Sequence, residues 1–155
     1  MGEKKVIRIG EKALDFTLSD QNYKAFHLSD FKGKKVLLSF HPLAWTPVCA
    51  EQMKSLEKSK AKFDELNTVA VGISVDAVPS KSAWAKDLGI KETRLLADFW
   101  PHGNVAKLYG IFREDGGISE RANVIIDENQ KVVFTKIYEI SKVPDIDEII
   151  NFLKK

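Results

Sequence analysis

The stretch Val36-Leu37-Leu38-Ser39-Phe40-His41-Pro42-Leu43-Ala44-Trp45-Thr46-Pro47-Val48-Cys49 decides the fold. Its first five residues are an apolar run that reads as a buried strand. Thr46 has the chemistry of a helix N-cap, and Pro47 suits the first helical position because its fixed φ is pre-organised and its missing N–H is no loss there. Met53, Leu56, Phe63 and Leu66 then recur at spacings that share one face, which predicts a helix over 47–66. Residues 69–74 form a second apolar, β-branched strand. Strand, helix, strand is the unit of a parallel sheet with a right-handed crossover.

Working outward, residues 16–18 and 25–28 flank the polar turn Asp20-Gln21-Asn22, as the arms of an N-terminal β-hairpin do. Ser80 is expected to cap a further helix that Gly89 ends. Residues 95–97 read as a strand and 104–109 as a short helix stopped by Gly110. Residues 122–127 and 131–135, separated by Glu128-Asn129-Gln130, read as a second hairpin. Asp145 opens a last helix carrying Ile146, Ile149, Ile150 and Leu153. No repeat, linker or low-complexity tract interrupts the chain. The expected class is α/β: a thioredoxin-like fold in one domain over 1–155, its mixed central sheet flanked by helices on both faces and preceded by a β-hairpin.

At 155 residues, 44% hydrophobic and 30% charged, the chain has material for one proper core. Its 24 basic and 22 acidic side chains are spread along the sequence, so no basic stripe argues for nucleic acid or an anionic membrane. The polar start at residues 1–5 is not a signal peptide. No run approaches the roughly 18 apolar residues of a membrane span, and Val6 stands where a myristoylation signal has Ser or Thr. The expected location is the cytoplasm. The lone cysteine cannot close an intramolecular disulfide, which fits a reducing compartment.

A thiol in the first turn of a helix faces unsatisfied backbone N–H groups and the positive end of the macrodipole, both of which favour thiolate. Cys49 is therefore a candidate nucleophile. Complete deprotonation speeds an ordinary thiol at neutral pH by at most roughly 30-fold. A fast cysteine also needs donors that stabilise the transition state. Thr46 brings a hydroxyl within reach of the sulfur and of a bound oxygen. Because Pro47 lacks an N–H, the amides of Val48 and Cys49 are the first donors of the turn. Pro42 is placed to close the loop over the thiol. Trp84 is expected to pack, and Lys58, Lys60 and Lys62 to form a solvated helix face. His27, His41, His102 and Cys49 lack the paired spacing of a zinc site, so no metal is expected.

The spacing Pro42-x-x-x-Thr46-x-x-Cys49 resembles the peroxidatic motif of peroxiredoxins, thiol peroxidases that use no metal or organic cofactor. Phe40 with Pro42, the stretch Asp98-Phe99-Trp100-Pro101-His102-Gly103, the Tyr109-Gly110 pair, and Gly117-Ile118 followed by Arg121 and Ile126-Asp127 look like the one-cysteine, alkyl hydroperoxide reductase E type, close to the bacterioferritin comigratory protein group. The resemblance runs from about residue 16 to 134. It implies attack by Cys49 on hydrogen peroxide or an organic hydroperoxide, leaving a sulfenic acid. It also implies that Thr46, Arg121 and the Cys49 amide hold the charge that spreads over sulfur and both oxygens, with Leu43, Trp45, Val48 and Trp100 shaping the pocket.

Two residues depart from that pattern. Many peroxiredoxins carry an aromatic where this chain has His41, which either adds a titrating group to the site or points away. Many have Glu where this chain has Gln52, which puts the polar network around Arg121 in question. Lys54 stands where some relatives place a resolving cysteine, so an external thiol must resolve the sulfenic acid: a low-molecular-weight thiol, a glutaredoxin-like protein or thioredoxin. A homodimer is the assembly the resemblance implies. Two other readings stand beside it. One is a Cys-His hydrolase with His41 or His102 as base; separately, the bland reading of Arg121 is a surface pairing with Glu120 or Asp127. The other is a non-catalytic thioredoxin-fold binding module with an inert Cys49.

Overall fold

The computed structural model describes residues 5–155; the polar start at 1–4 lies outside the described residues. Five strands supply the centre of the sheet: β3 (Lys35–Phe40), β4 (Thr68–Ser74), β5 (Arg94–Ala97), β8 (Arg121–Ile126) and β9 (Val132–Tyr138). The hairpin strands β1 (Thr17–Ser19) and β2 (Ala25–His27) extend it on one side, giving the order β2-β1-β5-β4-β3-β8-β9. β3, β4 and β5 are parallel; β8 runs antiparallel to β3, and β9 to β8. A mixed sheet of this kind is the one expected from a strand-helix-strand unit followed by a hairpin.

Alternation along the strands sorts the core into two layers. Val36, Leu38, Phe40, Ala122, Val124 and Ile126 belong to one cluster, with Val105 and Ala106 of α4 (Asn104–Leu108) and the residues behind the N-terminal hairpin. Leu37, Leu95 and Ile125 face the other way. There they meet α1 (Pro47–Lys58), α2 (Lys60–Glu65), α3 (Val78–Leu88) and α5 (Ile146–Leu153) through Met53, Phe63, Trp84 and Ile149. Both faces are apolar because both are covered, which is why 36–40 reads as a continuous hydrophobic run.

The structure departs from the sequence reading in four places. The helix predicted over 47–66 is broken at Ser59, whose amide reaches the carbonyls of both Ser55 and Leu56 at 3.2 Å. That is a tightened last turn, after which α2 restarts and buries Phe63. Ser80 is not an N-cap: Ala77 holds that position and Pro79 pre-organises the first turn of α3, leaving the Ser80 hydroxyl free to accept from the Trp45 indole. A two-stranded ribbon, β6 (Phe112–Arg113) and β7 (Ile118–Ser119), was not foreseen, being too short to show a period. Leu28, expected as the last residue of the first hairpin, instead opens a 3-10 helix over Leu28–Phe31. The remaining elements match in type and order. Asp145 caps α5 by accepting from the Asp147 amide at 3.0 Å, and Gly110 follows α4 at φ +75°. A side chain at Gly110 would collide with the Lys5 backbone, so the chain crosses itself there on the strength of a missing Cβ.

Candidate active site

β3 ends at Phe40 and α1 begins at Pro47, so the six residues between them carry the chain from the sheet edge to the helix start. Two hydrogen bonds shape this connection. The Ala44 amide donates to the Asp76 carboxylate at 2.8 Å, and the same oxygen accepts from the Ser74 hydroxyl at 2.6 Å. Trp45 then turns through φ +68°, a left-handed conformation unusual for an aromatic residue, and its indole N–H is held by Ser80 Oγ at 3.1 Å. Thr46 occupies the N-cap with extended backbone.

The Thr46 hydroxyl does not cap the helix; it donates to the Leu43 carbonyl at 2.7 Å. Its proton is thereby committed backwards and its remaining lone pair is free to accept. The first intrahelical bond runs from the Ala50 amide to Thr46 O, so the amides of Val48 and Cys49 precede any helical acceptor.

Cys49 is fully buried. Its sulfur receives one hydrogen bond among the described residues, from Arg121 Nη1 at 3.3 Å. Arg121 is itself only 2% exposed and reaches the site because strand alternation puts residues 121, 123 and 125 on the α1 side of β8. Its guanidinium is fixed by three acceptors: Cys49 Sγ, Gln52 Oε1 at 2.7 Å and the Ile140 carbonyl at 3.0 Å. No carboxylate pairs with it among the described residues, so the surface pairing with Glu120 or Asp127 is not what Arg121 does; Glu120 is 3.7 Å from Arg113.

Gln52 answers the doubt about the polar network. One turn along α1 from Cys49, it accepts from Arg121 and donates to both Ser39 Oγ at 2.7 Å and the Phe40 carbonyl at 3.1 Å. A neutral amide suits this place because it must accept on one side and donate on the other, which an ionised glutamate cannot do.

His41 points inward. It is fully buried, 5.4 Å from the Trp84 ring, with Nε2 2.9 Å from Lys81 Nζ. Burial pushes its pKa well below the usual imidazole range, and the charges of Lys81 and Arg121 push the same way against the Ser39 carbonyl. Neither His41 nor His102 bonds to Cys49; His102 Nε2 lies 2.6 Å from the Gly117 carbonyl. Of the remaining sequence candidates, Pro42 is buried, Val48 half-buried, Leu43 and Trp45 are 41% and 52% exposed, and Trp100 is 81% exposed, turned towards solvent. Trp84 packs as expected, whereas Lys81 and Ser39 were missed. Ser39 shares the face of Leu37 and so could have been found by alternation; Lys81 gave no such signal, since lysine is rarely buried.

A shallow depression of about 230 Å³ opens beside Thr46 and Pro47, walled by Trp45, Ala50, Trp84 and Leu88. A helix-start cysteine on a thioredoxin-like sheet, its sulfur under an arginine from the antiparallel strand, defines a thiol protein of the peroxiredoxin kind. Comparison with known proteins leads to the same class. The chain belongs to the AhpC/TSA family, whose model matches residues 9–135. It is 36% identical over 141 residues to alkyl hydroperoxide reductase E of Mycobacterium tuberculosis, covering 90% of this chain and 92% of that protein. Peroxiredoxin 2 of Picrophilus torridus is 33% identical, over 96% of this chain and 75% of its own length. Among solved structures, the reduced 2-Cys peroxiredoxin of Plasmodium vivax superposes with a TM-score of 0.85 at 30% identity, over 94% of this chain and 80% of that one.

Proposed function

We propose that this protein is a one-cysteine, thiol-dependent peroxidase in which Cys49 attacks hydrogen peroxide or an organic hydroperoxide. The sulfur forms a bond to one oxygen as the O–O bond breaks; the leaving oxygen takes up a proton and departs as water or alcohol, and Cys49 remains as sulfenic acid. The observation that carries this reading is the buried Arg121 guanidinium, which donates to Cys49 Sγ and is matched by no carboxylate among the described residues. A buried cation without a counter-charge is costly, so an anion at the sulfur is the arrangement that repays its burial.

In this reading Arg121 and the amides of Val48 and Cys49 meet the charge that spreads over sulfur and both oxygens. The Thr46 oxygen, its proton spent on Leu43, accepts from the hydroperoxide O–H and aims the molecule for in-line attack. Pro42 closes the loop, and Leu43, Trp45 and Val48 border the approach. An external thiol, whether thioredoxin, a glutaredoxin-like protein or a small thiol, reduces the sulfenic acid, because the chain has no second cysteine. A single domain acting as a homodimer in the reducing cytoplasm is the setting that fits this chemistry. The hydrolase reading finds no support in the positions of His41 and His102.

The test is the stopped-flow change in tryptophan fluorescence when reduced protein meets a slight excess of hydrogen peroxide, with product mass checked for one added oxygen on Cys49. A second-order rate far above that of a free thiolate, absent in Cys49→Ser, is expected. A rate no faster than a free thiolate would remove the proposal.

A further inference from the structure

Arg121 Nε donates to the Ile140 carbonyl at 3.0 Å, so one of the acceptors that fix the guanidinium belongs to the connection between β9 and α5. The group that anchors this connection stands two residues earlier. Tyr138, the last residue of β9, is the register partner of Arg121 on β8. Residues directly opposite in an antiparallel pair turn their side chains to the same face. The Tyr138 hydroxyl donates to Glu148 Oε1 of α5 at 2.8 Å and accepts from Asn123 Nδ2 at 3.3 Å.

The direction of these bonds is set by their ends. The second Glu148 oxygen accepts from Lys136 at 2.7 Å. That bond, helped by the Tyr138 hydroxyl and opposed by burial, holds the Glu148 carboxyl below the usual carboxylate range. An ionised carboxylate only accepts, so the Tyr138 proton points to Glu148 and a lone pair is left for Asn123. Burial and the adjoining Glu148 also push the phenol well above its usual range, which keeps it a donor. Asn123 is 3% exposed, its Oδ1 has no partner, and the bond to Tyr138 is the one its side chain makes among the described residues. A single hydroxyl thus ties β8, β9 and α5 together where the pairing of β9 ends, a task that a phenylalanine packed in the same place could not perform.

We propose that Tyr138 is a positioning residue for Arg121: its hydroxyl, clamped between Asn123 and Glu148, locks the end of β9 to α5 so that the Ile140 carbonyl meets Arg121 Nε and the guanidinium stays aimed at Cys49 Sγ. The effect on turnover rests on the peroxidase reading, but the aim of the guanidinium is measurable without peroxide.

Tyr138→Phe removes the hydroxyl and keeps the ring. The first readout is solvent exchange of the Arg121 Nε–H, followed by proton–nitrogen NMR and assigned by its absence in Arg121→Met. Exchange about tenfold faster is expected, while the Leu38 amide, in the strand between β4 and β8, keeps its rate. Unchanged Nε–H exchange would overturn the proposal, and so would equal acceleration of both groups, which reports lost global stability alone. The second readout is the rate with hydrogen peroxide. Tyr138→Phe should slow it about tenfold in the wild-type background and by no more than about twofold in Arg121→Met, because the hydroxyl acts through Arg121. The same factor in both backgrounds would contradict this. Glu148→Ala should reproduce the loss, whereas Glu148→Gln, which keeps an acceptor oxygen, should retain most of the rate. Equal loss in these two variants would give the role to the Lys136 ion pair instead of Tyr138; they also serve if Tyr138→Phe does not fold. Faster Nε–H exchange in a protein that does not react rapidly with peroxide would leave the placement of Arg121 standing and remove the peroxidase reading.

Discussion

Arg121 Nη1 lies 3.3 Å from Cys49 Sγ although the two residues stand 72 positions apart. The same nitrogen donates to Gln52 at 2.7 Å, so the guanidinium is aimed before any substrate arrives. Arg121→Met is expected to slow the reaction with hydrogen peroxide by on the order of 100-fold, as for loss of one pre-aimed donor. Arg121→Lys should rescue little, because one ammonium cannot reproduce the planar fork that meets Ile140 O, Gln52 and the sulfur together. Stopped-flow fluorescence on the two variants decides this; near-wild-type rates would remove Arg121 from the mechanism.

Thr46 is predicted to act through its oxygen as an acceptor, since its proton is given to Leu43. Thr46→Ser should therefore retain most of the rate, whereas Thr46→Val should lose about 100-fold. Equal rates in the two variants would mean that the hydroxyl serves only the loop.

The carboxylate of Glu57 on α1 collects the amides of Lys91 at 2.8 Å, Thr93 at 2.9 Å and Glu92 at 3.1 Å, tying the connection between α3 and β5 to the helix that carries Cys49. Burial alone would raise its pKa, but these amides outweigh burial and hold it below the usual carboxyl range. A depressed folded value means that its contribution is complete above the ordinary glutamate value and is lost as pH falls through the folded value. Glu57→Ala should cost on the order of 1 kcal/mol at neutral pH after solvent screening and less in acid. Urea denaturation at pH 7 and below pH 4 checks both parts.

Lys81 acts with the same sign in the alkaline range. Its folded value of about 7 lies below the ordinary lysine value, so between the two the unfolded chain binds the extra proton and stability rises with pH. Lys81→Met should remove that rise from roughly pH 7 to 10. The difference between variant and wild-type denaturation midpoints across this range isolates the lysine; parallel curves would contradict it.

Gly72 in β4 lets α1 sit close on the sheet, since a Cβ there would run into Met53 Sδ and press on Leu95. Gly72→Ala should lower stability by about 1–3 kcal/mol through overpacking. Shortening the partner in a Gly72→Ala/Met53→Ala double variant should give less than the sum of the two losses, readable from thermal melting.

Local chemistry was legible in the sequence. The run at 36–40, the N-cap position of Thr46, Pro47, the apolar stripe of α1 and the Asp145 cap each depend on residues within a few positions, so they predicted the strand-helix-strand unit, both hairpins and Cys49 at a helix start. The break at Ser59 escaped because an apolar stripe continues through it while the backbone tightens. The motif supplied Arg121 only through resemblance; composition and spacing could not have placed it on the sulfur. Tertiary structure alone decided the rest. The antiparallel pairing of β3 with β8 sets Phe40 beside Ala122 and so brings Arg121 to α1, makes Gln52 a two-way bridge, and buries Lys81 against His41. Those contacts join residues tens of positions apart, and a side chain's burial and charge are set by what folds over it, not by its neighbours in the chain.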